Sequence, residues 1–432
     1  MTIRPPSDDT DRAALERTIG AIWRIESAKI IARLARMLRQ VGLAEEFAQD
    51  AWLAALEQWP TSGIPENPGA WLMTTARNRA IDELRRRRMR EEKHPVLAHD
   101  PDLLGALADP TAESEPIEDD LLRLMFVACH PVLGTESRVA LTLRLLGGLT
   151  PGEIARAFLA TETAIQQRIV RAKRTLAEAR VPFEVPGAAD RGARLASVLE
   201  VLYLIFNEGY AATAGEDWIR PQLCEEAMRL ARTLAALAPE EPEVHGLLAL
   251  MELQASRLPA RTSSEGEPIL LLEQNRLHWD QLLIRRGLAA LERAEGFGGL
   301  LGPYTLQAEI AACHARALEA DATDWPRIVA LYDALYALSP SPVVALNRAV
   351  AVSMAYGPAP ALDIIDALCA DGRLRTYHLL PSVRGDLLEK LGRLEEAQAE
   401  YSHAAALASN PRERTLLLRR AEATRPRGTA PH

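Results

Sequence analysis

The stretch Leu149–Ala179, LTPGEIARAFLATETAIQQRIVRAKRTLAEA, decides how the rest of this chain is read. Thr150 followed three residues later by Glu153 is the pattern of a capping box, in which each side chain accepts the backbone N–H of the other residue. Pro151 suits the first helical position, where a missing N–H costs nothing. Leu159 and Ala160 make a short turn, and Thr161 can cap the helix that follows. In that helix Ile165, Ile169, Ala172 and Leu176 recur on one stripe, with Thr163, Gln166, Gln167, Val170, Arg171 and Arg174 opposite. One face packs, and the other offers amides and guanidinium groups to base edges. Arg168 and Lys173 on the flanks suit phosphates, which orient a protein without reading sequence. A solvated basic face would look similar. The capped helix, the short turn and a supporting helix at Leu141, Leu145 and Leu146 favour a DNA-binding helix-turn-helix.

Charge patterning extends the reading outward. The net charge of −9 argues by itself against a nucleic-acid binder, but the average conceals two basic islands. Residues 77–93 hold Arg77, Arg79, Arg85, Arg86, Arg87, Arg88, Arg90 and Lys93. Residues 138–180 hold eight Lys or Arg against Glu153, Glu162 and Glu178. Between the islands lies a segment without Lys or Arg that carries Asp100, Asp102, Asp109, Glu113, Glu115, Glu118, Asp119 and Asp120. Two basic islands parted by an acidic linker are the footprint of two nucleic-acid contacts held apart.

Elsewhere the pattern is helical. Ile22, Ile25, Ile30, Leu34 and Leu38 fall near one stripe before Gly42. AEEFAQDAWLAALEQW follows, with Phe47, Ala51, Leu53, Ala54 and Leu56 apolar, and then the Pro/Gly-rich loop PTSGIPENPG. AWLMTTARNRAIDELRRRRMR reads as a long helix with Leu72, Ala76, Ile81 and Leu84 buried and Arg77, Asn78, Arg79 and Asp82 outside. Residues after 183 are again helical, broken at GP, SP and NP, and no segment sustains strand alternation. The expected fold class is all-α.

The first 180 residues resemble the extracytoplasmic-function (ECF) sigma factors of RNA polymerase, in two blocks in the family's order. AEEFAQDAWLAALEQW is similar to the part of sigma region 2 that docks on the β′ clamp helices of core polymerase. WLMTTARNRAIDELRRRR is similar to the part that opens and reads the −10 element, and SRVALTLRLLGGLTPGEIARAFLATETAIQQRIVRAKRTL to region 4, which reads the −35 element. The resemblance implies core contacts at Glu45, Glu46, Gln49, Asp50 and Trp52. It implies −10 contacts at Trp71, Arg77, Asn78, Arg79, Asp82, Arg85, Arg86, Arg87 and Arg88, with a base pocket near Pro60–Pro68. It implies −35 contacts at Thr163, Gln166, Gln167, Arg168, Arg171, Lys173 and Arg174. Trp71 is either a core residue or a stacking platform for a base, and the arginine run is read as phosphate contacts. Glu162 in the first turn of the recognition helix departs from a phosphate-friendly pattern, so base preference is left open. The implied domains are 1–94 (region 2), 95–118 (acidic linker), 119–183 (region 4) and 184–432 (a helical extension).

In the extension, LLPSVRGDLLEKLGRLEEAQAEYSHAAALASNP (379–411) resembles a tetratricopeptide repeat, with Gly385, Leu388, Gly392, Ala397, Tyr401 and Ala404 in the repeat's small and large positions. Residues 343–376 are a weaker copy carrying Ala349, Val352, Ala361 and Ile365. YLIFNEGY resembles a segment of an ECF subgroup with a long repeat-containing extension, which implies regulation built into the chain. Asn207 and Glu208 there are either a polar contact or a helix end. Asp371, Arg373, Tyr377 and His378 are either a ligand-facing cluster or an ordinary inter-repeat loop.

The four cysteines, Cys129, Cys224, Cys313 and Cys369, are too far apart for a zinc knuckle. No nucleophile motif, phosphate-binding Gly loop, metal spacing or catalytic carboxylate pair is present, so no enzyme, metal or cofactor is expected. Without a signal peptide or a long apolar run the chain is expected to be soluble and cytoplasmic. The expected function is promoter-directed initiation with core RNA polymerase and promoter DNA as partners, modulated by contact between extension and sigma domains. The rival is a ligand-sensing helix-turn-helix regulator with a repeat domain and no sigma role, which would not need residues 45–88.

Overall fold

A computed structural model describes residues 9–91, 107, 117–212, 219–264 and 267–425; at 9–13 and 87–91 only the backbone is described. Most of the expected acidic linker, and the side chains of Arg87 and Arg88, therefore lie outside the described residues. Among the described residues the regular structure is helical throughout, as the composition and periodicity require, apart from an isolated bridge between Thr262 and Pro268. The chain divides into two compact units, Met1–Leu204 and Ile205–His432.

The first unit begins with α1 (Asp9–Leu38), α2 (Val41–Ser62) and α3 (Pro68–Glu91). Their shared core holds Trp23, Ile30, Leu34, Phe47, Trp59, Leu72 and Leu84, each burial contributing about 1.5–3 kcal/mol. The stripe on α3 is Leu72, Ala76, Ala80 and Leu84. That regular four-residue step leaves Ile81 one position off the face and only half-buried. Ile25, read as part of the apolar stripe of α1, is 64% exposed, and the apolar Leu53 of α2 is 50% exposed. Trp23 takes the place expected of Ile25 and stacks on Trp52 at 5.5 Å. α2 stops at Gly63, whose φ of 82° is accessible to glycine without strain.

Next come α4 (Ile117–Ala128), α5 (Thr135–Leu145), α6 (Pro151–Ala157) and α7 (Glu162–Glu178), and then α8 (Ala188–Tyr210), within which the division between units falls.

The second unit continues with α9 (Pro221–Leu237), α10 (Pro242–Ala255), α11 (Gln281–Gly296) and α12 (Pro303–Arg316). α10 is apolar and buried on nearly every side, as a central helix must be. Its Glu243 accepts the N–H groups of Tyr304 and Thr305 at 2.8 and 3.0 Å, supplying the N-terminus of α12 with a carboxylate. The chain then forms helix pairs: α13 (Trp325–Leu338), α14 (Pro342–Tyr356), α15 (Pro358–Asp371), α16 (Leu379–Lys390), α17 (Leu394–Leu407) and α18 (Pro411–Ala423). Ala349, Val352, Ala361, Ile365, Leu388, Ala397, Tyr401 and Ala404 share one core. At Gly385 a Cβ would stand 2.9 Å from the Tyr401 ring, so the α16–α17 approach requires a hydrogen there.

Candidate nucleic-acid interface

The helix-turn-helix is built as its sequence dictates. Thr150 Oγ1 accepts the Glu153 N–H at 3.2 Å, and the Glu153 carboxylate accepts the Thr150 N–H at 2.8 Å, closing the capping box. Burial alone would raise the Glu153 carboxyl, but the Thr150 hydrogen bonds and the Arg24 guanidinium hold it below the usual range. The turn is made by Leu159 at φ 49°, and Thr161 caps α7 by accepting the Ala164 N–H at 3.2 Å.

α7 is divided cleanly. Ile165, Ile169, Ala172 and Leu176 are its buried residues. Thr163, Gln166, Gln167, Val170, Arg171 and Arg174 are exposed on the other side. Gln166 reaches Glu162 and Arg171 reaches Gln167 at 3.2 Å each, while Arg174 pairs with Glu178 at 2.6 Å. Such exposed one-turn pairs are weak and exchange readily for outside partners. Arg168 pairs with Glu136 on α5 at 2.5 Å.

Lys173 is turned elsewhere, toward Glu45 of α2. Glu45 is 2% exposed and also takes Arg144 Nε at 2.6 Å and the Gln49 amide. Burial pushes the Lys173 ammonium down to about 8; burial also lowers the Arg144 guanidinium, opposed by the Glu153 charge. Of the five residues expected to face polymerase, Glu46 is exposed, Gln49 and Asp50 are partly so, and Trp52 lies flat on Trp23. The exposed Leu53 adds an apolar group to the outer side of the same helix.

A second junction between the halves of this unit lies at Asp120. It is fully buried and meets Arg36 at 3.0 Å, Arg33 at 3.5 Å and Arg123 at 2.8 Å. A third is the pairing of Arg24 with Glu153, beside which Gly148 leaves no room for a Cβ against Ser27. Sequence reading missed these joints and counted Asp120 only as linker charge. The available signal was Arg33 and Arg36, three residues apart on α1.

On α3, Asn78, Asp82, Arg85 and Arg86 are exposed, while Arg77 and Arg79 are partly covered. Arg79 lies 3.9 Å from Asp50. Trp71 is half-buried with its ring edge-on to Trp59 at 5.2 Å, at the end of the Pro60–Pro68 loop.

In the second unit Glu208 pairs with Arg220, and Gly209 lies where a Cβ would be 2.7 Å from the Cys224 nitrogen. That part of the YLIFNEGY segment is thus a tight joint between α8 and α9. The expected cluster after α15 does not converge. Asp371 and Arg373 pair with each other at 2.7 Å on the surface, and His378 meets Glu413 at 2.9 Å. Among the described residues no group of His, Cys, Asp and Glu could hold a metal ion, and no helix is long and apolar enough to cross a membrane.

Residues 25–90 match the model of sigma-70 region 2, and residues 123–176 that of sigma-70 region 4. Residues 194–295 match a family of unknown function, DUF6596. The chain is 30% identical over 187 residues to the ECF RNA polymerase sigma factor SigK of Mycobacterium ulcerans (strain Agy99), spanning 95% of that protein and 40% of this one. It is 27% identical over 175 residues to the probable ECF RNA polymerase sigma factor SigI of Mycobacterium tuberculosis (strain ATCC 25618 / H37Rv), spanning 59% of that protein and 40% of this one. An uncharacterized protein of Rhizobium meliloti (strain 1021) is 45% identical over 382 residues, 88% of this chain and 89% of that one. The chain belongs to the ECF RNA polymerase sigma factors. That family has core RNA polymerase and promoter DNA as its partners and is in general non-enzymatic.

Proposed function

We propose that α7 reads the −35 element through Thr163, Gln166, Gln167, Arg171 and Arg174, with Arg168 on phosphate. α3 engages the −10 strand through Arg77, Asn78, Arg79, Asp82 and the arginines from Arg85 to Arg88, and Trp71 closes the base pocket from its seat on Trp59. Glu46, Gln49, Asp50 and Trp52, joined by Leu53, face the β′ clamp helices of core polymerase. Glu45 and Lys173 serve chiefly to hold region 2 and region 4 together in the free protein. The observation that carries the reading is the division of α7, apolar where it packs and amide- and guanidinium-bearing where it does not.

The extension modulates this activity from within the same chain, acting in the cytoplasm with no chemistry of its own. In vitro transcription with core enzyme tests both parts. Full-length protein is expected to start transcripts from two-element promoters, and a chain ending near residue 185 to do so with altered output. Duplex binding by the free protein without any binding to core enzyme would overturn the polymerase reading. Identical output from both chains would overturn the modulatory one.

A further inference from the structure

In the connection from Ser256 to Asp280, between α10 and α11, the described residues form three single turns of 3-10 helix and the isolated Thr262–Pro268 bridge. Connections of this length without regular structure are uncommon inside a compact unit and usually serve a function. This one is tied down firmly. Asp280 N–H donates to the Ser256 carbonyl at 2.8 Å. Arg276 donates to the carbonyls of His314 and Ala317 at 2.8 Å each and to Thr323 Oγ1 at 2.9 Å. Those carbonyls close the C-terminal end of α12, where a cation is favoured.

Guanidinium groups and aromatic rings alternate behind that clamp. Arg261 lies 3.7 Å from the centre of the Tyr210 ring. Arg257 stands 6.0 Å from Tyr210 and 5.5 Å from Trp279, and Arg276 is 5.1 Å from Trp279. Arg257 meets the neutral Gln254 amide at 3.0 Å, and neither Arg257 nor Arg276 has a carboxylate partner among the described residues. Burial, followed by Arg257 and Arg276, pushes the His314 imidazole down to about 3, so the ring stays neutral in their positive field. Rings offset part of the cost of buried cations, but guanidinium groups such as those of Arg257 and Arg276, with no carboxylate partner among the described residues, are expensive to bury.

The same place gathers polar atoms that lack hydrogen-bond partners. They are Tyr210 Oη, Arg257 Nε, Arg276 Nε, Trp279 Nε1, Gln274 Oε1 and His314 Nδ1. Gln274, Arg276, Trp279 and His314 are each more than nine-tenths buried. Native interiors leave few such atoms unsatisfied, and each calls for an explanation. The two arginine nitrogens and the indole nitrogen can only donate, and the tyrosine hydroxyl can also donate, so these four groups call for an acceptor, while the Gln274 oxygen calls for a donor.

We propose that Arg257, Arg276, Tyr210 and Trp279 form a binding site for a small ligand bearing an oxyanion, a carboxylate or a phosphate. Its oxygens take the unpartnered donors and its charge offsets those of Arg257 and Arg276. The site lies wholly within the second unit.

Calorimetric titration of the full-length chain with inorganic phosphate, pyrophosphate and citrate, at ionic strength matched with NaCl, tests the proposal and separates the two anion classes. Saturable binding by at least one probe is expected, weakened roughly tenfold or more in Arg257→Gln and partly restored in Arg257→Lys. Trp279→Phe keeps the ring and removes one donor, and serves if Arg257→Gln does not fold. No saturable binding by any probe, or binding equal to wild type in these variants, would overturn it. So would evidence that the chain's own Glu216 and Asp217 neutralise Arg257 and Arg276. In that case Glu216→Gln/Asp217→Asn lowers Tm as far as Arg257→Gln does, and combining all three lowers it no further.

Discussion

Arg144 Nε donates to the Glu45 carboxylate at 2.6 Å across ninety-nine residues of chain, joining α2 to α5, the helix that supports the helix-turn-helix. Removing Glu45 strands two largely buried cations. Glu45→Ala is expected to cost about 3–5 kcal/mol, read as a lowered urea midpoint by circular dichroism. A loss below about 1 kcal/mol, the range of exposed pairs, would show that Arg144 and Lys173 relax into water.

Arg171 and Gln167 are exposed and bonded mainly to each other. Arg171→Ala and Gln167→Ala should leave Tm unchanged. Each should lower promoter-specific transcription by about 1–3 kcal/mol of discrimination if its contact is to a base. Arg168→Ala should instead weaken all promoters evenly and reduce the salt slope of binding by about one. Footprinting titrations at several salt concentrations distinguish the two patterns.

A methyl group at Gly385 would press on the Tyr401 ring, which is buried and whose hydroxyl donates to Glu389 at 2.7 Å. Gly385→Ala gains helix propensity but overpacks the α16–α17 contact, and a net loss of about 1–3 kcal/mol is expected. Calorimetric unfolding checks this, and a Tm at or above wild type would count against the close packing.

Glu295 is raised from 4.5 to about 7, first by its hydrogen bond with Glu309, then by burial and by the Glu309 charge. The folded protein therefore holds that proton more tightly than the unfolded chain. The contribution to stability is complete below about 4.5 and is lost as pH rises through about 7. Tm measured between pH 5 and 8 should fall with this group's ionisation, and Glu295→Gln should flatten that part of the curve.

What the sequence made legible was local. The capping box at Thr150 and the stripe of Ile165, Ile169, Ala172 and Leu176 appear as read, because both are set by spacing within a few turns. Gly385 and Tyr401 were legible for the same reason, as one repeat's internal contact. The exposure of Ile25 and Leu53 was not legible, because hydrophobicity alone does not say which side of a helix another element covers. Glu45, Lys173 and Asp120 read as surface charges, since their partners lie far away in the chain. The arginine and aromatic cluster of the second unit left no pattern at all, because Tyr210 comes from α8, Arg257, Arg276 and Trp279 from an irregular connection, and His314 from α12.

Asp120 also makes one latch out of three ion pairs. Its grip by Arg33, Arg36 and Arg123 holds the start of α4 against α1. A buried carboxylate stripped of its cations is costly, so no single pair can let go cheaply. The two helices part only when the carboxylate itself is wetted, and the joint opens all at once or not at all.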